Sequence, residues 1–293
     1  MKIPVKKLKN GFEIPVFGIG AYRMGGDTTH DTSNDDQRDI SAIKKAIDMG
    51  ITHIDTAEMY GGGHSEKIVG KAIKGYDRSS LIIATKVSPM SLHYGDVIAA
   101  AKNSLKRLDT DYIDLYLIHY PNFKIPIKET METMDYLLEK NIIRYIGVSN
   151  FNIEQFKKAQ SCTRNKIVVN QIPYSLKNRM AQKNGFLNYA QTHDVMVAAW
   201  RPIEGGMLSK NKVHIVDNIC KKYNKTLSQV AINWLISQDN VVTIPGSRNI
   251  KHLEENLGSL GWQLNQEDFR MLDEKFPEKE YFSLADDYWL KQL

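Results

Sequence analysis

The sequence predicts an α/β fold: a single (β/α)8 TIM barrel over residues 1–293, with an N-terminal β-hairpin and a C-terminal tail near the barrel mouth. Three observations predict it. Eight short runs rich in β-branched and apolar residues recur along the chain. Each is followed by a segment whose apolar residues repeat every three or four positions. No Pro/Gly/Ser-rich linker or break in composition divides the series, which favours one closed barrel over two open sheets.

In chain order, Val5-Lys6-Lys7-Leu8 and Phe12-Glu13-Ile14 flank Asn10-Gly11 and read as a hairpin. The strand candidates are Val16–Gly20, Thr52–Asp55, Leu81–Lys86, Ile113–His119, Tyr145–Ser149, Val168–Gln171, Val195–Trp200 and Val241–Ile244. Most are too uniformly apolar for a strand with one wet face, as a buried parallel sheet requires. Helical stripes lie between them: Ile40, Ile43, Ile47; Val97, Ala101, Leu105, Leu108; Ile127, Met131, Met134, Leu138; Ile250, Leu253, Leu257. Asn152 with Gln155, and Thr226 with Gln229, have the spacing of reciprocal helix caps. The polar stretch Gly25–Gln37 reads as a mobile surface loop.

Composition limits the function. Apolar residues at 42% and charged residues at 25% are ordinary for a globular chain able to bury a large core. The net charge of +5 is scattered, too mild to argue for nucleic acid and compatible with an anionic small molecule. Cys162 and Cys220 are far apart, so no disulfide framework or Cys-x-x-Cys site is expected. The amino end lacks the apolar core of a signal peptide, and no window reaches 18 apolar residues, so a cytoplasmic protein without membrane association is expected. The eight histidines show no His-x-His or His-x-x-x-His spacing, so no metal is expected either. Oligomeric state stays open.

Catalytic groups of such barrels gather at the carboxyl ends of the strands. Asp55 ends the second candidate strand, Lys86 the third and His119 the fourth, while Tyr60 follows Asp55 in the next loop. Together these types suit carbonyl reduction, which needs a hydride to carbon and a proton to oxygen. Tyr60 is the natural proton donor, and a neighbouring lysine ammonium should lower its pKa from about 10. Lys86 supplies that ammonium, Asp55 keeps it charged, and His119 orients the carbonyl and stabilises its developing negative charge. Singly, Asp55 reads as a cap, Lys86 as a surface charge and His119 as a core histidine. None of those readings explains three of them ending successive strands with Tyr60 in the loop after the first.

The segment Gly50-Ile51-Thr52-His53-Ile54-Asp55-Thr56-Ala57-Glu58-Met59-Tyr60-Gly61 resembles the first signature of the aldo-keto reductases. Ser104–Leu108 through Asp111–His119 resembles the second. Ile146–Phe151, Val169–Tyr174 and Ile244–Ser247 are similar to further family segments, in family order from about residue 8 to 257. The resemblance implies an oxidoreductase acting on a small-molecule carbonyl or alcohol, with NADP(H) extended across the barrel mouth. It assigns Ser149, Asn150 and Gln171 to the nicotinamide carboxamide. Trp200 stands where the family usually has a tyrosine stacked on the nicotinamide, within a cofactor-facing segment that includes Arg201 and Ile203. Ser247 and Arg248 match the adenosine-phosphate region, and Glu255 and Asn256 the adenine region.

Two departures bear on cofactor choice. Gly246 and His252 replace the family's lysine and arginine contacts to the 2′-phosphate, and Arg248 or Arg201 is the candidate substitute charge. NADP(H) is therefore expected in preference to NAD(H), with NAD(H) possible. The Rossmann fingerprint is missing: neither Gly18–Arg23 nor Gly61–Glu66 has the third glycine. A cofactor-binding regulatory subunit is the rival reading, but the tetrad is intact. Tyr22, Phe123, Tyr288 and Trp289 are candidate walls of the substrate pocket, and the short loop Arg201–Lys212 predicts an open pocket with broad specificity.

Overall fold

The computed structural model describes residues 2–204 and 214–276. The C-terminal tail, with Tyr288 and Trp289, and most of the loop after Arg201 lie outside the described residues.

The hairpin comprises β1 (Val5–Lys7) and β2 (Glu13–Pro15). The barrel strands are β3 (Ile19–Gly20), β4 (His53–Asp55), β5 (Ile82–Val87), β6 (Ile113–Ile118), β7 (Ile143–Ser149), β8 (Ile167–Pro173), β9 (Met196–Trp200) and β10 (Val241–Thr243). Helices α1 (Asp36–Asp48), α2 (His64–Ile73), α3 (Tyr94–Leu108), α4 (Ile127–Glu139), α5 (Ile153–Gln160), α6 (Met180–Lys183) and α7 (Phe186–Thr192) are followed by α8 (His214–Tyr223), α9 (Leu227–Ile236), α10 (Ile250–Leu257) and α11 (Gln266–Lys275). Both reciprocal caps form as the sequence predicts, at Asn152 on α5 and Thr226 on α9.

All eight expected strands form. From β3 to β10 they pair in parallel, in sequence order. Phe17 closes the ring by a parallel bridge to Thr243, with Gly18 N–H to Thr243 O at 2.8 Å and Thr243 N–H to Val16 O at 3.0 Å. The predicted strand Val16–Gly20 is thus divided: its first half pairs with β10 and only Ile19–Gly20 pairs with β4.

Side chains alternate in and out along each strand, so every second residue shares the barrel interior. Read upward, these interior rows pass from apolar to polar: Ala84 to Lys86, Leu115 and Leu117 to His119, Val169 to Gln171, Met196 and Ala198 to Trp200. Gly147 sits in the row from Tyr145 to Ser149, where a Cβ would meet the Leu117 side chain at 2.9 Å. The polar ends collect at one mouth.

The opposite mouth is filled by the hairpin. Leu8, Phe12 and Ile14 join the interior cluster with Leu115, Met196 and Val242. The turn is a three-residue loop rather than a two-residue Asn-Gly turn: Leu8 N–H bonds Phe12 O at 2.8 Å, and Gly11 alone takes positive φ, +90°. Lys6 fastens the hairpin to the end of α9, its Nζ donating to the carbonyls of Ile236 at 2.9 Å, Val241 at 2.7 Å and Gln238.

The stretch Gly25–Gln37 is more ordered than a featureless loop. Bridges pair Arg23 with Gly26 and Gly26 with His30, and Asp31 N–H bonds Gly25 O at 3.0 Å. Among the described residues, no helix is long and apolar enough to cross a membrane.

Candidate active site

Asp55 at the end of β4, Lys86 near the end of β5 and His119 just after β6 converge at the polar mouth, as their interior rows dictate. Tyr60 opens a single 3-10 turn, Tyr60–Gly63, that leads into α2. That segment is anchored from behind. Thr56 Oγ1 meets Ser65 Oγ at 3.0 Å, Ser65 Oγ donates to Ala21 O at 3.1 Å, and buried Glu66 accepts from Thr85 Oγ1 at 2.6 Å and Arg107 Nε at 2.5 Å.

Lys86 Nζ donates to Asp55 Oδ1 at 2.6 Å and to Thr56 O at 2.8 Å, and lies 3.3 Å from the Tyr60 hydroxyl. Lys86 is fully buried and Asp55 nearly so. Gln171 Nε2 donates to the second carboxylate oxygen, Oδ2, at 2.7 Å. The His119 ring meets the Tyr60 ring edge-on, centroids 5.5 Å apart, and stacks on Tyr120 at 5.0 Å. Tyr22 tilts against the other side of Tyr60 at 5.1 Å. The four predicted residues are therefore brought together, with the ammonium between carboxylate and phenol.

The electrostatics differ from the expectation for Tyr60. Burial first, then the negative charge of Asp55, pushes its pKa well above that of an ordinary tyrosine, and the ammonium 3.3 Å away does not reverse this. The expected lowering is thus corrected: burial, with the Asp55 charge second, outweighs the ammonium. Lys86 itself is lowered by burial, against which Asp55 acts in the opposite sense. His119 is held well below the ordinary histidine value by burial and by Lys86, so its ring is neutral, with Nδ1 buried and without a partner. A neutral phenol and a neutral imidazole therefore meet at the mouth, and both retain a proton to give.

The predicted carboxamide set is contiguous with this centre. Ser149 Oγ donates to Gln171 O at 2.9 Å; Asn150 Nδ2 donates to His119 O and to Ser149 Oγ, each at 3.0 Å; Trp200 Nε1 donates to Asn150 Oδ1 at 3.2 Å. Asn150 adopts φ +64°, in the left-handed region. Trp200 is half-buried, with the Arg201 guanidinium 5.4 Å from its ring. These amides, a hydroxyl and a flat aromatic face suit a nicotinamide carboxamide and its ring. Ile203 is partly buried two residues beyond Arg201.

Across the mouth, Ser247 and Arg248 follow β10, with Glu255 and buried Asn256 on α10. Ser247 Oγ closes a local turn, donating to Asn249 O at 2.8 Å. Arg248 is not a free cation. Its Nε and Nη2 bond the two oxygens of buried Asp39 at 2.6 and 2.7 Å, and Nη2 also bonds Asn34 Oδ1. Arg201, by contrast, is exposed.

Of the substrate-wall candidates, Tyr22 lies against Tyr60, its hydroxyl bonding Asp27 Oδ1 at 2.7 Å, whereas Phe123 is 69% exposed. Trp289 lies outside the described residues. Sequence reasoning missed Asp39, whose partner Arg248 lies 209 residues away and leaves no local signal.

A profile of the aldo/keto reductase family matches residues 16–276. The chain is 35% identical over 271 residues to a glyoxal reductase of Bacillus subtilis (strain 168), covering 91% of each chain. A crystal structure of a thermostable aldo-keto reductase, Tm1743, bound to the inhibitor epalrestat superposes with a TM-score of 0.88 at 39% identity, covering 92% of this chain and 99% of that one. An aldo-keto reductase from Klebsiella pneumoniae in complex with NADPH superposes with a TM-score of 0.84 at 30% identity, covering 97% and 98%.

Proposed function

The chain belongs to the aldo/keto reductase family, and on that premise we propose that it reduces the carbonyl of a small aldehyde or ketone with NADPH, reversibly, with Tyr60 as general acid. The observation that carries this reading is the placement of Lys86 Nζ, 2.6 Å from Asp55 Oδ1 and 3.3 Å from the Tyr60 hydroxyl, at a mouth bordered by neutral His119.

When bound, the reduced nicotinamide supplies the hydride. Ser149, Asn150 and Gln171 are the residues that would hold its carboxamide, and Trp200 would stack on its ring. His119 donates a hydrogen bond to the substrate oxygen and so aims the carbonyl at the mouth. As negative charge grows on that oxygen, Tyr60 releases its proton to it, completing the alcohol. The ammonium of Lys86 then stabilises the phenolate left behind, offsetting the burial and the Asp55 charge that oppose ionisation. Asp55 in turn holds the ammonium in place, and Gln171 fixes the carboxylate through its second oxygen.

NADP(H) is proposed over NAD(H), supported by the related NADPH complex and by Arg248 beside the expected phosphate region. The family assignment and the reductase relatives support catalysis over a cofactor-binding regulatory role. The test is oxidation of NADPH and of NADH by the purified protein against a panel of aldehydes, ketones, sugars and dicarbonyls such as glyoxal. Turnover of several carbonyls, faster with NADPH, is expected. Silence across the panel would overturn the reading.

A further inference from the structure

Beside the active-site mouth, two loops bring together side chains that no spacing rule connects. His30 comes from the stretch between β3 and α1, Asp36 is the first residue of α1, and His64 is the first residue of α2. One ligand-type atom from each lies within 4.8 Å of the others. His64 Nε2 is 2.7 Å from Asp36 Oδ2, and the His30 and His64 rings stack with centroids 3.7 Å apart and planes 21° off parallel.

We propose that His30, Asp36 and His64 form a binding site for a divalent transition metal ion of the zinc class. Two imidazoles and a carboxylate are a ligand set that such ions take, with metal–ligand distances of about 2.0–2.2 Å. Tetrahedral ligands then lie roughly 3.3–3.5 Å apart and the ion lies near the plane of each ring, so binding requires the His30 ring to turn out of its stack on His64 as the group closes by about 1 Å. His30 is exposed and can make that movement, while His64 and Asp36 are partly buried and already oriented toward each other. At present their contact shares a proton, and the ion would take that proton's place. The Asp36 carboxylate is itself oriented by Asn34 Nδ2, which donates to Oδ1 at 2.9 Å. Such outer hydrogen bonds are what fix a ligand for an ion. Residues 27–39 carry Asp27, Asp31, Asp35, Asp36 and Asp39 against Arg38, and although Arg248 takes up Asp39 and Lys71 acts on Asp36, carboxylates stay in excess around the site.

The three ligands leave a fourth position for water, and they join the two segments that frame Tyr60. The loop bearing His30 is bonded to the turn after Tyr60 through Gly61 N–H to Asp27 O at 2.7 Å, and Tyr22 at its start packs on Tyr60. A bound ion would therefore clamp the loop over one side of the mouth.

The test is calorimetric titration of the purified, chelator-treated full-length chain with zinc chloride at pH 7.5, read beside hydrogen exchange of residues 25–36. One ion per chain and slowed exchange in that segment are expected. His30→Ala, His64→Ala and Asp36→Asn should each weaken zinc binding by about tenfold or more. His93→Ala and His193→Ala, which remove other exposed histidines, should leave it unchanged, and NADPH binding should persist in all five. Absence of a one-to-one site, or equal affinity in the wild type and the three ligand variants, would overturn the proposal.

Discussion

Arg248 and Asp39, 209 residues apart in sequence, are joined by two parallel hydrogen bonds of 2.6 and 2.7 Å, which fasten the loop after β10 to helix α1. The carboxylate is fully buried and also accepts from Asn34 Nδ2 at 2.9 Å and Gly25 N–H at 3.2 Å. The guanidinium thus serves the fold, and in the proposed function it also faces the cofactor phosphate with its charge offset by Asp39.

Arg248→Ala should therefore cost stability as well as cofactor selectivity. Leaving the Asp39 carboxylate with only its weaker partners is expected to lower unfolding free energy by roughly 2 kcal/mol. Because the lost charge was already shared, the loss in NADPH affinity should be about tenfold or less, with NADH affinity unchanged. Denaturant melts and fluorescence titrations with both cofactors read the two effects. An NADH loss as large as the NADPH loss would remove Arg248 from phosphate recognition.

Tyr60→Phe removes a hydroxyl and little else. It should lower kcat by about 100- to 10,000-fold, the range of positioned acid catalysis, while the NADPH dissociation constant stays within about twofold. Single-turnover oxidation of bound NADPH separates the two quantities. Near-normal turnover would exclude Tyr60 as the acid.

His53 gives a pH prediction that concerns the fold alone. It is buried just below Asp55 with neither ring nitrogen bonded, and burial pulls its pKa from 6.5 to about 4. The unfolded chain takes up this proton below about pH 6.5, whereas the folded chain does not until about pH 4. Stability should thus fall as pH drops through that window, by roughly 3 kcal/mol at most, and be insensitive to His53 above it. Urea melts at pH 7, 5.5 and 4.5 should show a shallower decline for His53→Gln than for the wild type. Parallel declines would assign the acid sensitivity to other groups.

The strands were legible because residues buried on both faces leave continuous apolar runs, and the polar residue ending each run marks the mouth. What could not be read depends on partners distant in sequence. The shortening of the first strand to Ile19–Gly20 follows from its pairing with β10, and the restraint on Arg248 follows from Asp39. The rise in the Tyr60 pKa, opposite to the expected fall, reflects burial, which is a property of the whole packed mouth and leaves no local trace. His30, Asp36 and His64 escaped the spacing rules because they meet through two loops rather than along one helix.

The hairpin that fills the lower mouth sets an order of events for folding. Its Leu8, Phe12 and Ile14 find part of their apolar company on Met196 and Val242, and its Lys6 bonds carbonyls between residues 236 and 241. Contacts of such separation carry a large loop-closure cost and slow the search for the native state. During synthesis, the hairpin emerges well before Met196 and Val242 and must wait for them before its apolar side chains are covered. Completion of the barrel floor is therefore a late, cooperative step, and the interval before it is when this chain is most exposed to misassociation.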